Sequence, residues 1–127
     1  MSATTTRGIR VRVAPVYVPE RSAPEGGSFF FAYRVRITNT GDETVQLMRR
    51  HWIITDGHGH TEEVEGPGVV GETPVLPPGT TFEYTSSCPL PTSFGTMQGT
   101  YQMRTAAGEL FEIEIGQFWL VAPQAVN

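Results

Sequence analysis

Apolar and polar residues alternate with a period of two along most of this chain. Ile9, Val11 and Val13 are separated by Arg10 and Arg12, and Phe29, Phe31, Tyr33, Val35 and Ile37 by Phe30, Ala32, Arg34 and Arg36. Successive strand side chains point to opposite faces, so each run predicts a strand with one buried and one solvated face. The pattern returns at Val45 and Leu47, at Phe82 and Tyr84, at Met97, Gly99, Tyr101 and Met103, and at Phe111, Ile113 and Ile115. No window of ten or more residues places apolar positions at helical spacing, so almost no helix is expected.

Turn signals separate the runs. They are Pro24-Glu25-Gly26-Gly27, Asn39-Thr40-Gly41-Asp42, Asp56-Gly57-His58-Gly59, Pro77-Pro78-Gly79 and Ala107-Gly108, rich in residues that supply positive φ or fix the chain direction. About seven half-buried strands in one domain of 127 residues predict an all-β fold, an immunoglobulin-like antiparallel sandwich. A closed barrel is the alternative. The segment 44–55 should pair with 61–65 across Asp56-Gly57, and the proline-rich stretch 66–79 should cross between sheets. Trp52 is expected inside the core, with Arg49 and Arg50 emerging beside it.

Composition fits a folded domain, with 39% hydrophobic residues and two tryptophans. No apolar leader or membrane-length run occurs, and a lone Cys88 cannot close an internal disulfide. These features point to the cytosol, with neither a membrane nor a nucleic acid as partner. All nine basic residues are arginine; residues 1–50 carry eight against four acids, and residues 51–127 carry one against nine. Outward Arg10, Arg12, Arg34 and Arg36 are expected to oppose Glu112 and Glu114 as cross-strand pairs. The alternative is a basic face for an anionic partner.

Residues 66–71 read Gly66-Pro67-Gly68-Val69-Val70-Gly71, a G-x-G-x-x-G spacing that elsewhere cradles pyrophosphate at a helix N-terminus. Here Pro74, Pro77 and Pro78 follow, which prevent a helix. Glu62, Glu63, Glu65 and Glu72 flank the motif, and residues 55–80 contain no arginine or lysine. A structural corner is therefore expected. Gly66, Gly68 and Gly71 remain the candidates for a phosphate or nucleotide bound through a nest of backbone N–H groups, a ligand disfavoured by the local acidic charge.

The blocks Arg50 to Asp56, Glu63 to Pro74, Pro78-Gly79, Tyr84 to Ser86 and Gly95 to Met103 are similar to those of the ApaG family, in order and over about Ile9 to Pro123. The resemblance implies a single fibronectin type III-like β-sandwich spanning the chain. It also implies a bacterial protein linked to cobalt and magnesium resistance, and a domain type that serves elsewhere as a protein-binding module. The family's glycine motif falls on Gly66, Gly68 and Gly71; His51, His58 and His60 depart from the residues usual in the family.

Other constellations are weak. Asp56, His58 and His60 could offer carboxylate and imidazole to a transition metal, but four ligands are needed for a structural site and solvated turn histidines are the expectation. No metal or cofactor is expected. Ser86, Ser87 and Cys88 with a nearby His51 would make a nucleophile cluster, yet no nucleophile elbow accompanies them, so no enzyme is expected and Cys88 reads as a small buried residue. Phe29-Phe30-Phe31 and Phe118-Trp119-Leu120 place large groups on both strand faces. Phe30 and Phe118, with Arg49 and Arg50, form the candidate interaction surface, for a protein partner or a second copy of this chain, unless a bulge at Gly116 shifts the strand phase.

Overall fold

The computed structural model describes residues 1–123. Nine strands form in chain order: β1 (Ser2–Thr6), β2 (Ile9–Tyr17), β3 (Phe29–Asn39), β4 (Val45–Asp56), β5 (Thr61–Pro67), β6 (Val75–Leu76), β7 (Thr81–Leu90), β8 (Phe94–Thr105) and β9 (Leu110–Val121). Two single-turn 3₁₀ segments, Pro19–Arg21 and Pro24–Gly26, are the helical elements among the described residues. The expected seven strands are all present. The short β1 and β6 are additions that alternation alone does not reveal, because Ser2–Thr6 is polar on both faces and β6 has two residues.

The strands make two antiparallel sheets, β1-β2-β3-β7 and β5-β4-β8-β9, with β6 beside the start of β4. Their inner faces share one core, built from Val11, Val13, Phe31, Val35 and Ile37 on one side and Leu47, Trp52, Met97, Tyr101, Met103 and Ile113 on the other. Trp52 stands at its centre, edge-on to Tyr33, Tyr101 and Phe118 with ring centroids 5.3, 6.3 and 6.0 Å away. Such arrangements add about 1 kcal/mol per pair beyond area burial.

Two bulges set which side chains enter the core. In β4, Leu47 faces Met103 while Arg49 faces Gln102, so Met48 is the extra residue. Leu47, Arg50 and Trp52 thereby share the inner face, and Arg49 and His51 turn outward. In β9, Met97 faces Phe118 while Gly99 faces Ile115, so Gly116 and Gln117 together oppose Gln98. The strand phase reverses there, burying Phe118 at 1% exposure and turning Trp119 outward.

The β4–β5 hairpin forms as expected, with Thr55 opposite Thr61. The following segment does not leave the sheet at once. Leu76 still pairs with Val45 on the second sheet, and the chain crosses to β7 only through Pro77-Pro78-Gly79. Asn39 fastens this crossing: its Nδ2 donates to the carbonyls of Glu43 and Leu76, and its carbonyl accepts from the Gly79 N–H.

The predicted charge pairing is corrected by the register. Arg34 and Arg36 both reach Glu83 on the neighbouring β7, at 2.8 and 2.6 Å. Glu112 and Glu114 lie on the other sheet, opposite Gln102 and Thr100. Arg12 faces Arg36 across the β2–β3 ladder, so the outer face of the first sheet is a basic stripe with one acid in it.

Candidate functional site

The first site is a polar corner of the core built around Arg50. The Met48 bulge points Arg50 inward, where its ladder neighbours are Tyr101 on β8 and Gly66 on β5. The guanidinium lies across Gly66, and a Cβ there would come within 3.0 Å of Nη2 and 3.1 Å of Cζ. Nη1 donates to the carbonyls of Pro67 at 2.9 Å and Gly68 at 3.0 Å. The first glycine of the motif thus leaves room for an arginine side chain to pass.

The other two glycines shape a tight hairpin. Val69 and Glu72 exchange backbone hydrogen bonds at 2.8 and 2.9 Å, with Val70 and Gly71 between them at φ +43° and +81°. Two successive positive φ values in a two-residue loop define a type I′ turn. Gly68 has φ +60°, and a Cβ there would lie 2.2 Å from the Glu72 carbonyl oxygen. The Gly68 N–H is given to Met48, and those of Val69 and Glu72 to each other. Two donors of the motif, the Gly68 and Val69 N–H groups, are thus spent inside the fold, as is that of Glu72 just beyond it, and the bend is a corner.

Beneath this hairpin opens a cavity of about 210 Å3 lined by Arg50, Tyr33, Trp52, Tyr84, Ser86 and the turn itself. Tyr33 and Ser86 are cross-strand neighbours on β3 and β7. The Tyr84 hydroxyl is hydrogen-bonded to that of buried Tyr101. Burial raises the pKa of all three tyrosines, opposed at Tyr33 by hydrogen bonding from Ser86. These hydroxyls keep their protons at neutral pH.

A second cleft, of about 500 Å3, opens between β5 and β7, the edge strands of the two sheets, with Ile54, Val64, Cys88 and Leu90 below and Asp56 and Glu62 at its rim. Burial, then the charge of Glu62, pushes the Cys88 thiol up to about 11. A thiol with that pKa is almost wholly protonated at neutral pH, and the thiolate is the nucleophile. His51 is not beside it. It projects from the outer face of the second sheet, with Nε2 2.7 Å from Glu63.

The Asp56 turn is closed by its own backbone. Asp56 Oδ1 accepts from the N–H groups of His58 and His60 at 2.8 and 3.1 Å. Desolvation pushes its pKa up, but those two bonds prevail and hold it below the usual carboxylate range. His58 and His60 are exposed, and no group of three metal-ligating side chains is assembled among the described residues.

The predicted surface of Phe30, Arg49, Arg50 and Phe118 does not exist as one patch. Phe118 is in the core because of the β9 bulge, and Arg50 faces inward. Phe30 is half-buried on the first sheet beneath Arg21, whose guanidinium lies 4.2 Å from the ring centroid. Only Arg49 projects from the outer face of the second sheet. A different cluster occupies that sheet. Phe94 and Val121 are directly paired, and Trp119 is two residues from Val121 on the same face, with exposures of 44%, 57% and 55%. The Phe94 ring lies over Gly57, where a Cβ would approach to 2.9 Å. Alternation alone does not find this patch, although Trp119 is the chain neighbour of Phe118.

Residues 19–105 match the ApaG domain family. The chain belongs to the ApaG family. Protein ApaG of Rhodopseudomonas palustris is 56% identical over 98% of this chain and 95% of its own length. Protein ApaG of Xanthobacter autotrophicus is 57% identical over 97% of this chain and 95% of its own. The crystal structure of the putative ApaA protein from Bordetella pertussis superposes with a TM-score of 0.89 at 54% identity, covering 92% of this chain and 95% of that one. The matched residues 19–105 include strands of both sheets. No helix among the described residues is long and apolar enough to cross a membrane.

Proposed function

We propose that this ApaG domain is a non-catalytic protein-interaction module that docks through the outer face of its second sheet. The observation carrying this reading is the Phe94-Trp119-Val121 cluster, three large apolar side chains side by side at exposures of 44–57%. Scattered exposed apolar residues are ordinary, but a contiguous aromatic group with a polar surround is the composition of an interface centre. Gln98, Gln117 and Thr96 supply the polar surround. The high thiol pKa of Cys88 and the outward position of His51 argue against nucleophilic chemistry at the one sequence cluster that resembled it.

On this reading, the connection to cobalt and magnesium resistance runs through a partner rather than through cation binding by the domain. The internal use of Asp56 Oδ1 supports that. The test is recovery of a partner from native cell extract with wild-type protein and with Trp119→Ser, whose fold is checked by far-UV circular dichroism. Loss of one defined partner on substitution supports the reading. Equal recovery with both proteins removes it.

A further inference from the structure

We propose that the Arg50 corner is a carboxylate-binding pocket, in which the guanidinium and the Ser86 and tyrosine hydroxyls receive one carboxylate carried on a short apolar stem.

Three observations converge on that chemistry. First, Arg50 is a half-buried, inward-facing cation with no carboxylate within ion-pair distance among the described residues. Taking a charge even partly out of water without an opposite charge carries a desolvation cost that a bound carboxylate would offset. Second, among the described residues only Nη1 is engaged, by Pro67 and Gly68. Those bonds fix the plane of the guanidinium and leave its other edge for a bidentate acceptor, the geometry a carboxylate matches. Third, residues bearing neutral hydroxyl groups line the same space. Tyr33, Tyr84 and Ser86 line it with Arg50, and Trp52 forms an aromatic wall suited to a methylene stem.

The charge environment separates a carboxylate from a phosphate. Arg50 is the single cation of the cavity lining, Arg49 points to the opposite face of the sheet, and Glu65 and Glu72 stand on the flanking segments. A monoanion is matched by one guanidinium. A pyrophosphate would need further cations, and the glycine hairpin has already spent its inner N–H groups. The cavity of about 210 Å3 has room for a side-chain-sized group rather than a nucleotide. The exposed Val70-Gly71 turn forms its rim, so an acidic side chain or a chain terminus can enter from solvent. This inference does not depend on the Trp119 patch, which lies on the outer face of the second sheet.

The experiment is a titration of isotope-labelled full chain, followed by NMR at the Arg50 Nε–Hε group and the amides of residues 68–71 and 86. Probes are propionate, a short peptide with a free C-terminal carboxylate, its C-terminal amide, the amide with one glutamate side chain, and inorganic pyrophosphate. Saturable shifts with propionate and at least one carboxylate peptide, and none with the uncharged amide, are expected; the glutamate peptide distinguishes a side-chain ligand from a terminus. Ser86→Ala, which leaves the Arg50 anchor in place, should weaken binding about tenfold, the loss of one charge-assisted hydrogen bond, and Arg49→Gln should leave it unchanged. Unmoved Arg50 resonances with every carboxylate, equal binding by Ser86→Ala, or tighter binding of pyrophosphate than of any carboxylate would each overturn the proposal.

Discussion

The Arg50 guanidinium lies flat against Gly66, so that a Cβ at position 66 would stand 3.0 Å from Nη2. This pairing explains the first glycine of the motif and separates it from the third, which serves the turn. Gly66→Ala must push Arg50 off the Pro67 and Gly68 carbonyls, and overpacking of this kind costs about 1–3 kcal/mol. At Gly71, φ is +81° but nothing lies within 4 Å of the place a methyl group would take. Gly71→Ala should therefore cost about 1 kcal/mol through backbone strain and leave Arg50 in place. Urea denaturation gives both losses, and the Arg50 Nε–Hε resonance should move in the first variant only.

Val70 is a β-branched residue held at φ +43° in the first central position of a type I′ turn, with its side chain 54% exposed. Asparagine tolerates that conformation and precedes glycine in the favoured form of this turn. Val70→Asn should stabilise the domain by about 1 kcal/mol in urea denaturation, because little apolar burial is given up. A loss of stability would mean that Val70 packs on its neighbours more than its exposure implies.

Cys88 should be inert in the folded state. Its thiol pKa is raised from 9.0 to about 11, mainly by burial. A raised folded pKa contributes stability that is complete below the unfolded value and lost as pH rises through about 11. A thiol-reactive disulfide reagent at pH 7 should therefore label the protein only after denaturant is added, and Cys88→Ala should lose less stability than wild type between pH 9 and 11. Rapid labelling of native protein at pH 7 would count against the burial argument.

Glu83 contributes to the acid side, as does Asp56, whose pKa is also lowered. Hydrogen bonding from Arg34, together with the charges of Arg34 and Arg36, holds the Glu83 pKa below the usual 4.5. A depressed folded pKa contributes stability that is present above the unfolded value and is lost as pH falls through the folded one. Wild type should lose stability over that interval, and Glu83→Gln should show a flatter acid limb with reduced dependence on salt. Thermal melts across pH 2–6 provide the comparison.

Legibility followed the physics of each feature. The sandwich, its central tryptophan and the β4–β5 hairpin are readable because period-two alternation and Asp-Gly turn chemistry are local. Bulges are not readable with the same ease. Extending the apolar set of Phe111, Ile113 and Ile115 two residues at a time puts Phe118 outside; the extra residue at Gly116-Gln117 reverses the phase and exposes Trp119 instead. The Met48 bulge likewise turns Arg50 inward, where alternation counted from Val45 and Leu47 puts it on the outer face. Charge pairing fails for a different reason: Glu83 is a sheet neighbour of Arg34 and Arg36, and the β3–β7 register that makes it so links residues 49 apart in sequence. The prolines and acids around the glycine motif do predict a corner, but the arginine that occupies it lies well upstream on β4 and is visible only in the ladder.

The interaction reading stands or falls at position 119. A photo-crosslinking amino acid placed there in cells, with a second placed at Glu112 on the same outer face of β9, compares the patch with its polar continuation. Docking through the patch should give one discrete adduct at position 119, abolished when Phe94 is also changed to serine, and none at 112; an adduct of twice the chain mass would identify a second copy as the partner. No adduct at 119, or the same adducts at both positions, would contradict docking through this face.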